Sequence, residues 1–180
     1  MNETIHTLLN RRSIRSYTKQ QVPAELLRQI TDCGLFAATA MGKQPWHLTV
    51  VTSRAALDEI VAINRRILLA AGREVEPDFD NFRGAPCAIL VSGAEGNPFA
   101  DIDCANATEN MALAACALGL GSCYIASFRP AFVQDTDRSL HKRFGIPDGY
   151  RATLALSLGY AEGEPGPRAA RLPDTVNYVE

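Results

Sequence analysis

Polar and apolar positions follow two different periods along this chain, and its longest uncharged stretch lies just past the middle. No charged residue occurs from residue 110 to residue 128, in NMALAACALGLGSCYIASF, after Asp101, Asp103 and Glu109 at its front. The run does not predict a membrane span, because Gly119, Gly121, Ser122 and Ser127 interrupt it and its Ala and Cys are weakly apolar. It predicts a helix and then a strand: acidic residues at the positive end of the helix dipole, an Ala- and Leu-rich body, a closing glycine pair, and a short buried strand over residues 122–128. A helix that is apolar nearly all round needs cover on every side. Ala107, Ala112, Ala114, Ala115 and Ala117 would let another backbone approach closely, either within a monomeric core or from a second subunit.

The flanking patterns place the other elements. Ile5, Leu8 and Leu9 share one face of a short helix over residues 3–10, and Pro23 opens a second helix with Leu26, Leu27, Ile30 and Leu35 on its apolar side. Residues 37–43 are small and polar and predict a loop, and residues 47–52 a strand. The period of Leu57, Ile60, Val61, Ile63, Ile67 and Leu68 predicts a helix over residues 55–71. Residues 72–84 are charged and irregular, the pattern of a mobile excursion over a site. A buried strand is expected over residues 85–92, then a helix from Pro130 with Val133, Leu140 and Phe144 facing inward, then a strand over residues 151–158. The Gly- and Pro-rich tail holds no periodic element until Val176, Tyr178 and Val179, which read as strand. Four strands among five helices predict an α+β or mixed α/β layer fold.

Composition narrows the class. With 180 residues, 47% of them hydrophobic, the chain has the material for one domain with a real core. A formal net charge of -2 leaves no footprint for nucleic acid or an anionic membrane. The first nine residues lack the basic start and apolar middle of a signal peptide, so a cytoplasmic protein is expected. Cys33, Cys87, Cys104, Cys116 and Cys123 fall singly in apolar stretches without a CxxC pair and read as reduced, buried small hydrophobes. His6, His47 and His141 are scattered, and no metal site is expected.

Candidate chemistry is concentrated at the front. Arg11, Arg12, Ser13 and Arg15 place three guanidiniums and a hydroxyl within five residues. They are either favourable charge at a helix C-terminus or a phosphate site, since guanidinium forks match phosphate oxygens. Gly119, Leu120, Gly121 and Ser122 are not a dinucleotide fingerprint, because they close a helix and open a strand, the reverse of the order that motif needs. Arg168 and Arg171 form a second basic pair in the tail, where a solvated linker is the alternative to a fold-back onto the first cluster.

Four segments in order resemble the nitroreductase family of flavin enzymes: RRSIRSY, TAMGKQPWHLTVV, DIDCANATENMALAACALGLGSCYIASF and PRAARLPDTVNYV, together spanning nearly the whole chain. The resemblance implies a three-layer α/β/α fold of the α+β class, with a mixed, mainly antiparallel sheet and a long central helix. It implies one FMN-binding domain over residues 1–180, residues 161–180 being an extended tail that packs on the partner of a homodimer. FMN would lie at the interface. Arg11, Arg12 and Ser13 would hold its phosphate and ribityl chain, and Arg15 would reach the N1 and O2 edge of the ring. Thr39, Ala40 and Gly42 of the second subunit would line the flavin with Gln44 nearby. Tyr124, Ile125, Ala126 and Ser127 would lie against the ring, and Arg171 would close on the phosphate. The family often has Asn where Gly42 stands and a basic residue where Ala169 stands, so Arg168 takes that place from the next position.

The activity so implied is hydride passage from NADH or NADPH through flavin N5 to nitroaromatics, quinones or related small acceptors, by a ping-pong scheme. The cofactor carries that chemistry, which accounts for a sequence without a catalytic triad or acid pair. The rivals are a specialised flavoenzyme of the same fold (a dehydrogenase, dehalogenase or flavin-cleaving enzyme), a flavin-binding sensor without turnover, and an anion-binding structural module. Trp46 and Phe128 are expected in the core, and residues 72–84 are expected to shape acceptor choice.

Overall fold

Among residues 2–180, which the computed structural model describes, six α-helices and four strands follow one another. They are α1 (Glu3–Asn10), α2 (Ala24–Leu35), β1 (Trp46–Val51), α3 (Arg54–Ala70), β2 (Cys87–Ala94), α4 (Ala100–Ala117), β3 (Gly121–Ile125), α5 (Arg129–Val133), α6 (Ser139–Arg143) and β4 (Tyr150–Gly159). A 3-10 turn at Ala40–Gly42 precedes β1. The sheet has the order β1-β2-β4-β3, and each neighbouring pair is antiparallel. Parallel pairing is confined to an isolated bridge between Ser13 and Ser122.

The two central strands explain the layers. Successive side chains of a strand point to opposite faces. Ala88 and Leu90 of β2 enter one cluster with Leu57 and Ile60 of α3, while Cys87, Ile89 and Val91 enter another with Ile30 of α2 and Met111 of α4. Helices therefore cover both faces of the sheet, and β2 reads as continuously apolar because neither face meets water. The fold is α+β in three layers. Trp46 and Phe128 are buried core residues, at 8% and 0% exposure.

The central helix α4 buries Cys104, Ala107, Met111, Ala112 and Ala115 completely. Its approach to α2 depends on Gly34, where a Cβ would stand 2.7 Å from Met111 Cγ. Cover is one-sided, however. Ile102 is 60% exposed, Ala117 is exposed and Ala114 half-buried.

Several expectations give way. The helix expected from Pro130 is two short helices, because Asp135 takes the N–H groups of Leu140 and His141 and starts α6 afresh; Leu140 and Phe144 are buried, but Val133 points outward. β3 ends at Ile125, and residues 126–128 turn into α5. Residues 72–84 are not a free excursion, since Phe82 and Asn81 are buried and Asp80 pairs with Arg54 at 2.9 Å. Both ends of the segment are exposed, and its middle is anchored. Cys33 is exposed and Cys116 half-buried, because both stand on the rim of a groove between α1, α2 and α4. Val176, Tyr178 and Val179 form no strand and are exposed, as is the rest of the tail from residue 161.

Candidate functional site

The segment from Arg11 to Thr18 has no regular structure of its own, so its hydrogen bonds must come from elsewhere. They come from the rim of the sheet. Ile14 N–H donates to Ser122 O at 2.8 Å, Thr18 N–H to Tyr160 O at 2.9 Å, and Glu162 N–H to Ser16 O at 3.0 Å. Tyr17 is buried and its hydroxyl donates to Ile14 O at 2.7 Å. Burial pushes the Tyr17 phenol far up from its ordinary range, so it stays a neutral donor there. At Gly121 a Cβ would lie 2.9 Å from three side-chain atoms of Ile14, so the strand start must be glycine for the segment to pass so close. The arginine cluster is thereby fixed across the start of β3 and the exit of β4.

Between that segment and the first residues of the tail lies a cavity of about 320 Å³, lined by Arg12, Ser13, Arg15, Ser16, Glu162 and Glu164 among others. Arg12 Nη2 donates to Gly166 O at 2.5 Å, while its Nε is buried without a partner. A buried guanidinium donor left unpaired is costly, which marks the place as one that an acceptor would complete. Ser13 and Arg15 share this cavity. Arg168 folds back as well, but its guanidinium donates to the carbonyls of Leu9, Asn10 and Arg11 and so caps the negative end of α1. Arg171 is exposed in the tail.

Arg11 lies to one side, where its Nε meets Glu109 Oε1 of α4 at 3.0 Å. The other carboxylate oxygen of Glu109 accepts the Tyr124 hydroxyl at 2.9 Å. Burial first, and then the hydrogen bond and charge of Glu109, push the Tyr124 phenol far above its ordinary range. Ile125 is buried at 4% exposure. Ala126 and Ser127 are exposed beyond the end of the β3 ladder.

Two features that sequence reasoning passed over hold this turn and the loop at residues 38–44. Asn64, buried on the apolar face of α3, donates to Phe128 O at 3.0 Å and Asn81 Oδ1 at 3.3 Å, and its Oδ1 accepts the Ala131 N–H at 3.0 Å. Asn81 in turn donates to Ser127 O at 2.9 Å and Ser127 Oγ at 3.1 Å. The signal was an asparagine at a helix position where the period calls for an apolar residue. The second feature is Asp103, which is buried rather than an exposed dipole charge and accepts the Ala40 N–H at 3.1 Å, while Asn106 donates to Ala38 O at 3.1 Å. These anchors fix a loop with positive φ at Met41 (54°), Gly42 (64°) and Gln44 (47°). Backbone held in sparsely populated regions clusters at functional sites. Thr39, Ala40, Gly42 and Gln44 do not line the arginine cavity of their own chain.

An α+β sandwich with an irregular arginine segment sewn to the sheet rim offers guanidinium and hydroxyl donors to an anion. Comparison with known proteins supplies the family. A profile of the nitroreductase family matches residues 8–160, and the chain belongs to that family. A Methanothermobacter thermautotrophicus protein, provisionally named NADH dehydrogenase/NAD(P)H nitroreductase, is 31% identical over 179 residues, covering 97% of this chain and 86% of that protein. The Bacillus subtilis FMN reductase (NADPH) is 29% identical, covering 100% of this chain and 74% of that one. The crystal structure of a Bacteroides fragilis nitroreductase with bound FMN superposes with a TM-score of 0.92 at 29% identity, each chain covered completely.

Proposed function

We propose that the protein is an FMN-dependent oxidoreductase that uses NADH or NADPH to reduce small acceptors such as nitroaromatics or quinones by a ping-pong scheme. The observation that carries this reading is the cavity lined by Arg12, Ser13 and Arg15, beside which the Nε of Arg12 is buried without a partner. A phosphate monoester offers acceptors for these donors at once, which fits the donor set to FMN. When bound, FMN supplies two-electron redox chemistry between the nicotinamide and the acceptor. Arg11, Arg12 and Ser13 would hold its phosphate and ribityl chain, and Arg15, exposed and lining the same cavity, would bring positive charge to the N1 and O2 edge of the ring. Tyr124 and the backbone of Ile125, Ala126 and Ser127 support the ring. Arg168 ties the tail down, and Arg171 approaches the phosphate once the tail is ordered against a partner.

The working unit on this reading is a cytoplasmic homodimer. Support comes from what one chain leaves open: Phe36 and Met41 are 89% and 77% exposed, and the groove between α1, α2 and α4 holds about 1140 Å³. The Thr39–Gln44 loop then lines the partner's cofactor, and the tail beyond Arg168, whose first part is held on its own chain, lies on the partner. The test is the visible spectrum of the purified protein, recorded anaerobically before and after NADH and then NADPH. A flavin spectrum that bleaches supports the proposal. Bound flavin that neither nucleotide reduces, or a protein that refuses added FMN, contradicts it.

A further inference from the structure

Glu109 is out of place in a site for a phosphate ester. A carboxylate beside Arg11 weakens the attraction of that arginine for an anion, so its presence calls for a geometric reason. It joins three elements: Arg11 at the end of α1, its own helix α4, and Tyr124 on β3. Both of its oxygens are used, Oε1 by Arg11 Nε at 3.0 Å and Oε2 by the Tyr124 hydroxyl at 2.9 Å. The Tyr124 hydroxyl also lies 3.3 Å from Ala105 O, one turn earlier on α4, which fixes where it stands. An arginine side chain gripped at Nε keeps its two terminal nitrogens free and pointed in one direction. An ungripped one spreads over many rotamers and loses that freedom when it binds.

We propose that Glu109 is a positioning residue for the cofactor site: it holds Arg11 by the Nε edge so that the terminal guanidinium nitrogens face the phosphate, and it holds Tyr124 in register with them. This rests on the FMN reading above and deepens it. Glu109 acts through hydrogen-bond geometry, not through its charge. A glutamine fits the same geometry, its oxygen accepting from Arg11 Nε and its amide donating to the Tyr124 oxygen, whereas alanine provides neither contact.

The experiment measures dissociation constants of FMN and of riboflavin, which lacks the phosphate, for the wild-type apoprotein and for Glu109→Ala, Glu109→Gln and Tyr124→Phe, by flavin fluorescence. Glu109→Ala is expected to weaken FMN by about fivefold, the scale of the rotamer freedom one ungripped arginine side chain loses on binding, and to leave riboflavin within about twofold. Glu109→Gln is expected to stay near wild type, and Tyr124→Phe to shift FMN in the same direction as Glu109→Ala by a smaller factor. Should Glu109→Ala misfold, the glutamine and phenylalanine variants still decide. Equal behaviour of Glu109→Ala and Glu109→Gln, parallel losses for FMN and riboflavin, or tighter FMN binding in Glu109→Ala would overturn the proposal. A wild-type protein that binds riboflavin as well as FMN defeats the phosphate-site reading itself, before any variant is compared.

Discussion

Replacing Asn64 by Ala tests whether the turn after β3 is held by the buried asparagine pair. Asn64 is 1% exposed, and three groups depend on it: the Ala131 N–H, Phe128 O and Asn81 Oδ1. The Ile60 carbonyl, 3.2 Å away, belongs to α3 and keeps its helical setting. Stranding the Ala131 donor and the Phe128 acceptor costs about 1–3 kcal/mol each, so a loss of about 3 kcal/mol is expected after partial relaxation. For a chain of this size that lowers Tm by about 6–12 °C. The assay is urea unfolding followed by circular dichroism, with a shift of midpoint at constant slope. Asn64→Asp adds a check of sign. Its carboxylate still accepts from Ala131 but meets the oxygens of Ile60, Phe128 and Asn81, so at neutral pH it destabilises more than Ala. Its folded pKa is then raised above the unfolded value of about 3.9, and the variant regains stability as pH falls through that interval, where the protonated acid donates again. A loss below about 1 kcal/mol for Asn64→Ala, or an Asn64→Asp variant as stable at pH 7 as the wild type, would refute the network as the support of this turn.

Two further outcomes follow from the same geometry. Burial works to raise the Asp135 carboxyl, but the His141 ring at 2.7 Å and the N–H and hydroxyl donors of His141, Leu140 and Ser139 outweigh it and hold the pKa at about 2. That support is complete above the unfolded value and is lost as pH falls from about 4 to 2, so Asp135→Asn should flatten the acid limb of the unfolding profile there, and an unchanged limb would count against it. Gly121→Ala pushes a methyl against the branched Ile14 side chain, which cannot swing aside as a flexible tip would, and should cost about 1–3 kcal/mol and weaken FMN binding through Ser13 and Arg15; full retention of both would show that the arginine segment is not pinned there.

Apolar periodicity sufficed for the elements whose burial is one-sided or complete, which is why α2, α3, α4, β2 and β4 lie within one or two residues of where the pattern puts them. It failed where a single polar side chain decides. Asp135 divides the helix beginning at Pro130, Asn64 replaces an apolar residue on the buried face of α3, and Asp103 serves a loop 63 residues away, and none of these contacts has a local period. The arginine cluster was visible as composition, but its closure by Arg12 onto Gly166 and by Arg168 onto α1 depends on the path of the tail. Val176, Tyr178 and Val179 have strand character without a strand, since they lie exposed and pair with neither edge strand of the sheet.

The measurement that tests the central claim most directly is a crystal structure of the protein grown with FMN. The phosphate is expected within hydrogen-bond distance of the Arg12 guanidinium and the Ser13 hydroxyl, the Arg12 side chain turning so that Nε is no longer unpaired, with the flavin ring beside Tyr124 and Ser127. A flavin bound elsewhere, as in the groove between α3 and α6, or a phosphate left in solvent with Arg12 Nε still unpaired, would contradict it.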